Sequence, residues 1–357
     1  MSPRIRWVGW TIALLMATLA TACTRISPSS WPGVTVEQDT LYVAYQQQVY
    51  ALRLPDGQPL WQFPPEPNRK QTFFAAPVRA DNLLVVGGYD NVLYGLDPAN
   101  GTQKWTFDQA QDRYIASPLL VDGVLYAPNA DGTLYVLDRN GQLKWTFTTQ
   151  AALWAQPVLA QDRLYLASMD HHLYALNPKS GQVEWQVELP GALPAPPVVT
   201  DDRIFMAALA PVVTALSPED GRVLWQQTLR GWVWHQPFVA DDHVIVADMQ
   251  GYVYALDGRD GTVLWERNLE APIAARPARV KDTLYVATRT GDLVALDWAT
   301  GQVRWRRTVE ELAKDGFAGP LTVLPDEEGL ITPTMNAKQF LIVWSLDGQI
   351  RWTFPAK

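Results

Sequence analysis

One cysteine and four histidines in 357 residues leave little material for disulfide or metal chemistry. A single cysteine has no partner within the chain, so packing must hold the fold together. A zinc site takes three or four convergent ligands. His171, His172, His235 and His243 do not supply such a set, and the adjacent pair reads as solvated turn residues. No Gly-rich phosphate loop, HExxH or GxSxG motif occurs. Charge is scarce as well, at 18% of residues, and no basic run appears. Nucleic acid is therefore excluded as a partner, because binding it needs a positive footprint. Helical periodicity of useful length is also missing. What is plentiful is Trp (16), Pro (27) and Gly (23), a mixture of strand formers and turn formers that points to an all-β chain.

The one long apolar stretch lies at the N-terminus. Arg4 and Arg6 precede an uncharged run of 16 residues, Trp7 to Ala22, which ends in Ala20-Thr21-Ala22 before Cys23. This is the order of a secretory signal, and the run is shorter than the ~20 residues of a typical transmembrane helix. An uncleaved anchor helix is the alternative. The cysteine sits where cleavage would fall, which resembles a bacterial lipobox with Ala20 in place of the more usual Leu. The expectation is a signal peptide over 1–22, an acylated Cys23 heading a tether over 23–30, and a folded domain over 31–357. Several acyl chains give stable membrane attachment. Removing Arg4 and Arg6 from the 29 basic residues leaves 27 against 37 acidic ones. So acidic a body is poorly suited to lying on anionic lipid, and the acyl group must do the anchoring.

The body is a repeat. Trp61, Trp105, Trp145, Trp185, Trp225, Trp265, Trp305 and Trp352 are spaced by 44, 40, 40, 40, 40, 40 and 47 residues. Each follows a glycine by four positions, from Gly57 to Gly348, and each follows a proline by 27 to 32, from Pro32 to Pro320. Within the fourth repeat, residues 157–160, 164–168, 173–176 and 183–187 read as four short strands, and Asn177 to Gly181 as a hairpin loop. A four-stranded unit recurring at about 40 residues is a propeller blade. The fold class is therefore all-β: an eight-bladed β-propeller of four-stranded antiparallel blades, with no helix longer than two turns. The eight tryptophans read as structural. A small residue lies ten positions before most of them, Ala51, Gly95 and Ala175 among them. It is expected to seat a tryptophan of the neighbouring blade. The ring is expected to close by packing Trp352 near Ala51 without an interleaved strand, although residues 24–31 could supply one.

The segments Leu173-Tyr174-Ala175-Leu176-Asn177 through Gly181 to Trp185, and Val253-Tyr254-Ala255-Leu256-Asp257 through Gly261 to Trp265, resemble the pyrroloquinoline-quinone-type (PQQ-like) propeller repeat. The resemblance spans all eight repeats and is specific for fold. For function it implies several classes, since the family holds quinone enzymes, assembly scaffolds and sensor domains. Its enzymes bind the quinone with calcium-ligating acids, a catalytic Asp and a vicinal cysteine pair. The single cysteine, already assigned to lipidation, leaves no quinone ligand to carry over, so no cofactor is expected.

Two faces of such a propeller differ. The turns between first and second strands each carry an acid, from Asp39 to Asp326, as ordinary turn chemistry allows. The opposite face carries the blade-to-blade links, which vary in length and collect aromatics: Phe74, Tyr114, Trp154, Trp232 and Trp234. The residue two before each proline is nearly always small, with His235 the exception. Beside it stand Gln156, Gln236 and Arg276, read as polar groups of a channel rim. These nine residues form the candidate binding site, with partner anchoring and plugging of the channel as the two readings of the rings. Two functions follow. One is a non-catalytic membrane-anchored scaffold with envelope protein partners, exported to the periplasmic side of an outer membrane or to the cell surface. In anchor, length and blade number it resembles the propeller lipoproteins of the outer-membrane β-barrel assembly machinery. The other is a quinone-dependent dehydrogenase or sensor.

Overall fold

The middle strands of each repeat are apolar without alternation, and this decides how they are placed. Arg163–Ala167 and His172–Leu176 are buried along almost their whole length. A strand buried on both faces must be sandwiched between two layers. In the computed structural model, which describes residues 32–355, the layers are neighbouring blades. Eight four-stranded sheets, each built from four consecutive antiparallel strands, form a β-propeller. The fourth blade consists of Val158–Ala160, Arg163–Ala167, His172–Leu176 and Val183–Glu188, counted from the axis outward. The only helix among the described residues is one 3-10 turn, Glu310–Leu312. Residues 1–31, with Cys23 and any strand they contribute, lie outside the described residues.

The core sits between blades. One cluster joins Tyr165 and Leu173 of the fourth blade to Ile204 and Leu216 of the fifth, all buried. Outer strands alternate between exposed and partly buried positions, as in Val183–Glu188. In every blade the outer pairing shifts register once, at the residue cross-strand from the tryptophan: Ala175/Leu176 in the fourth, for example. This is the bulge that the hairpin glycine permits.

The tryptophan contacts correct one expectation. The small residue ten positions earlier is the tryptophan's partner across the same blade: Ala51 pairs with Trp61 and Gly95 with Trp105. The seat on the neighbouring blade is the hairpin glycine. Trp145 covers Gly181, where an added Cβ would stand 2.7 Å from the indole Cε3. With φ at +73°, only glycine fits without strain. The same docking places Trp61 on Gly101 and, continuing around the ring, Trp305 on Gly348. It also closes the ring, because Trp352 of the last blade covers Gly57 of the first. Closure by Trp352 without an interleaved strand is thus the observed arrangement among the described residues, with Gly57 rather than Ala51 beneath the indole. Five indoles also donate Nε1–H to a backbone carbonyl of the next blade, as Trp61 does to Pro98 at 2.9 Å and Trp225 to Gly258 at 3.0 Å.

Candidate functional site

The links between blades are held by recurring backbone hydrogen bonds, one of them to the following blade, as from Met169 N–H to Ala152 O at 3.0 Å. Leu153, Leu193, Val233 and Ile273 are fully buried. Each donates its backbone N–H to the carbonyl that opens the second turn of the preceding blade, on Asn129, Ser168, Ala208 and Asp248 respectively, at 3.1 to 3.3 Å. With that residue pinned inside, the chain runs along the axis until the proline that precedes the inner strand. The first residue after the pin and the residue just before the proline then face the axis. Trp154, Gln156, Trp234, Gln236 and Arg276 occupy these positions. They line an axial cavity of about 350 Å³, with Phe74 and His235 also in its wall.

The structure therefore gathers seven of the nine candidate residues at one cavity. The other two fall elsewhere. Tyr114 is 1% exposed and fills the interior between the second and third blades, its Cβ against Gly87. In its link it takes the pinning position, its N–H donating to Gly88 O at 3.1 Å. Trp232 lies outside the cavity on the link surface, 38% exposed, its ring edge-on to Trp234 at 5.8 Å. Phe74 has a double role, since it is buried against Tyr45 and Tyr89 while its inner side meets the cavity.

The polar groups are held by the wall itself. Gln156 donates Nε2–H to Pro118 O at 2.8 Å, and Gln236 does the same to Pro197 O at 3.0 Å. Each amide therefore ties its blade to the preceding one. His235 is 7% exposed, with Nδ1 at 3.0 Å from the carbonyl oxygen of Gln236. Burial, and secondarily the charge of Arg276, push its pKa down to about 4, so the ring is neutral at pH 7. Arg276 lies with its Cζ 5.5 Å from the Phe238 ring centre. Its Nε is buried without a partner among the described residues, as is Nε1 of Trp154. Burial lowers the guanidinium pKa from its ordinary value. Among the described residues that line the cavity, not one is an Asp or Glu.

The acids of the first turns are on the opposite face, whereas those of the second turns, Asp131, Asp170 and Asp248, accept backbone N–H groups of the links. Asp81, Asp122, Asp162, Asp241 and Asp242 sit at turn positions with φ between +50° and +59°. This is the conformation that short polar side chains tolerate best after glycine. Among the described residues no three His, Cys, Asp or Glu side chains group as metal ligands. His172 is tied to its own turn, with Nδ1 3.0 Å from Asp170 O.

Sequence reasoning missed the cavity residues Ile115 and Pro194. Small residues and polar residues mark the two positions before each proline. The position three before, which carries Phe74, Ile115, Trp154, Pro194 and Trp234, was legible as a column but is uniform neither in size nor in polarity.

The profile of the PQQ_2 family, described as outer membrane protein assembly factor BamB, matches residues 9–152, 130–210 and 170–318. No curated protein is a significant match. Many solved structures are similar, and two of them serve as examples. BamB from Moraxella catarrhalis is 20% identical, with a TM-score of 0.72 over 87% of this chain and 92% of that one. The computationally designed Ika8 protein is 15% identical, with a TM-score of 0.75 over 89% of this chain and 96% of that one. At such identities the two structures bear on the fold alone.

Proposed function

The chain belongs to the family of outer membrane protein assembly factor BamB, and from that premise we propose that it is a non-catalytic envelope lipoprotein. In this reading acyl chains on Cys23 hold it to a membrane facing the periplasm. The propeller presents its link face to protein partners in outer-membrane protein assembly. The observation that carries the choice of face is the Trp232–Trp234 pair, one ring exposed and one turned into the cavity mouth. An exposed indole with a second ring behind it is the kind of anchor that dominates protein interfaces. The opposite face offers repeated acidic turns, which suit solubility better than selective recognition.

The test is recovery of partners from solubilised membranes with the full lipidated chain. Trp232→Ala with Trp234→Ala is expected to lose them, whereas Asp162→Ala with Asp202→Ala keeps them, both variants being folded by circular dichroism. Cys23→Ser is expected to lose alkyne fatty-acid label and membrane recovery together. Partners lost with the acidic pair and kept with the tryptophan pair would reverse the face. Pyrroloquinoline quinone with calcium is expected to support no dye reduction by the same protein, and turnover would move the chain to the quinone enzymes.

A further inference from the structure

We infer that the axial cavity is a binding site for a carboxylate carried on an apolar body, with Arg276 as counter-ion and Trp154 and Trp234 as apolar walls. The inference rests on the link face being the recognition face, and it names the chemistry recognised there. The first observation is an imbalance of charge. The chain has 37 acidic residues, yet among the described residues no Asp or Glu lines the cavity, and Arg276 is the one formally charged side chain that does. No ion pair or side-chain hydrogen bond joins the guanidinium to a described residue; its contact is the Phe238 ring. A guanidinium largely removed from water and left without an anion is costly. A fold with acids to spare could have supplied one. A cation without an anion among the described residues, in a cavity lined by link residues, fits an anion that arrives from outside.

The second observation concerns what kind of anion fits. A single planar fork matches a carboxylate in a bidentate arrangement. His235, beside it, is neutral at pH 7 and adds no second charge. A phosphate dianion would find only one cation. The remaining wall is mostly apolar, built by Phe74, Ile115, Trp154, Pro194 and Trp234. The volume, about 350 Å³, is at the small end of ligand pockets, enough for about one or two amino-acid residues. The two glutamine amides are already oriented by Pro118 and Pro197, and Nε1 of Trp154 is an unsatisfied donor.

The experiment titrates the full chain in detergent with N-acetyl-leucine, N-acetyl-leucinamide and inorganic phosphate, following tryptophan fluorescence and the thermal midpoint. N-acetyl-leucine is expected to bind, and the amide and phosphate at least about tenfold more weakly, the loss of one charge-assisted contact. Arg276→Met is expected to weaken N-acetyl-leucine about tenfold or more while leaving the unliganded midpoint unchanged or higher. Arg279→Met, at the opposite face, is expected to bind as wild type does. A peptide ending in leucine that binds tighter than N-acetyl-leucine identifies the carboxylate as that of a polypeptide. Equal affinity identifies a small molecule as sufficient, and both outcomes support the site. Equal binding of acid and amide would overturn the inference. So would indifference to Arg276→Met, or no binding up to about 50 mM, where a millimolar site is filled. If carboxylate binding fails while Trp232→Ala with Trp234→Ala still loses membrane partners, the cavity inference is wrong and the proposed face survives.

Discussion

Around the outside of the propeller each of the eight repeat tryptophans meets the same kind of partner, the hairpin glycine of the next blade, from Trp61 on Gly101 to Trp352 on Gly57. Along the axis the blades differ. The position before the proline holds Ala76, Ser117, Gln156, Pro196, Gln236 and Arg276 in successive blades. Both regions come from the same repeat, so the difference lies in what each must do. The girdle must form the same interface eight times and close, which rewards sameness. The axial wall has no such uniform interface: Gln156 and Gln236 each tie their blade to the preceding one, and other blades carry Ala, Ser or Pro at that position. There, substitution changes the lining without changing the ring. Uniformity in this chain marks what holds the fold, and divergence marks what is free to recognise something.

The girdle should be the most sensitive part of the molecule to substitution. Trp225 is 9% exposed and donates its indole N–H to Gly258 O. Trp225→Ala is expected to cost about 3–5 kcal/mol, by lost burial and the cavity left behind. Urea denaturation gives the value. A loss below about 1 kcal/mol would mean that the indole ring contacts do not hold the blades together. Trp352→Ala is expected to cost a similar amount, and a much smaller loss would place ring closure elsewhere.

At the axis the expected effect is smaller and appears only with pH. The folded state holds His235 at a pKa of about 4, against about 6.5 in an unfolded chain. Between these values the unfolded chain binds a proton that the folded chain does not. Stability is therefore lost as pH falls through this window, by about 2–3 kcal/mol at pH 4.5. In most other links the position is alanine, including Ala155 and Ala195. His235→Ala should therefore fold, and should lose that part of the difference between urea midpoints at pH 7 and pH 4.5. Carboxylates titrate equally in both proteins and cancel in the comparison. The same pH dependence in the variant would show that His235 titrates normally and is not desolvated.

The girdle was legible in the sequence because its physics is periodic. A glycine and a tryptophan four residues apart, eight times over, announce a blade with a bulged outer hairpin. Strand positions in the fourth repeat were placed within about one residue on that basis. Which glycine seats which indole was not legible, since pairing across one blade and docking on the next put small residues beside the ring in both cases. The cavity was half legible. Gln156, Gln236 and Arg276 stood out as polar residues in an apolar column. Tyr114 was misplaced because an aromatic in a link looks the same whether it pins the link inside or faces out. That choice is made by the backbone hydrogen bond to Gly88, which no side chain records.

On the link surface, substitution is expected to change stability least of all. Trp232 keeps 38% of its surface exposed, and its ring contact is with Trp234. Asp202, on the acidic-turn face, pairs with Arg203 at the surface. Neither holds two blades together. Trp232→Ala and Asp202→Asn should each change stability by no more than about 0.5 kcal/mol, the range of surface substitutions. A tryptophan that stabilises nothing but remains on the surface is unusual, and the unusual part is its exposure to water. Urea midpoints of the two variants measured beside Trp225→Ala provide the scale. If Trp232→Ala costs 2 kcal/mol or more, its ring supports Trp234 and the cavity mouth, and its exposure no longer argues for a partner. If it costs as little as Asp202→Asn, the link face carries an aromatic ring that the fold does not need.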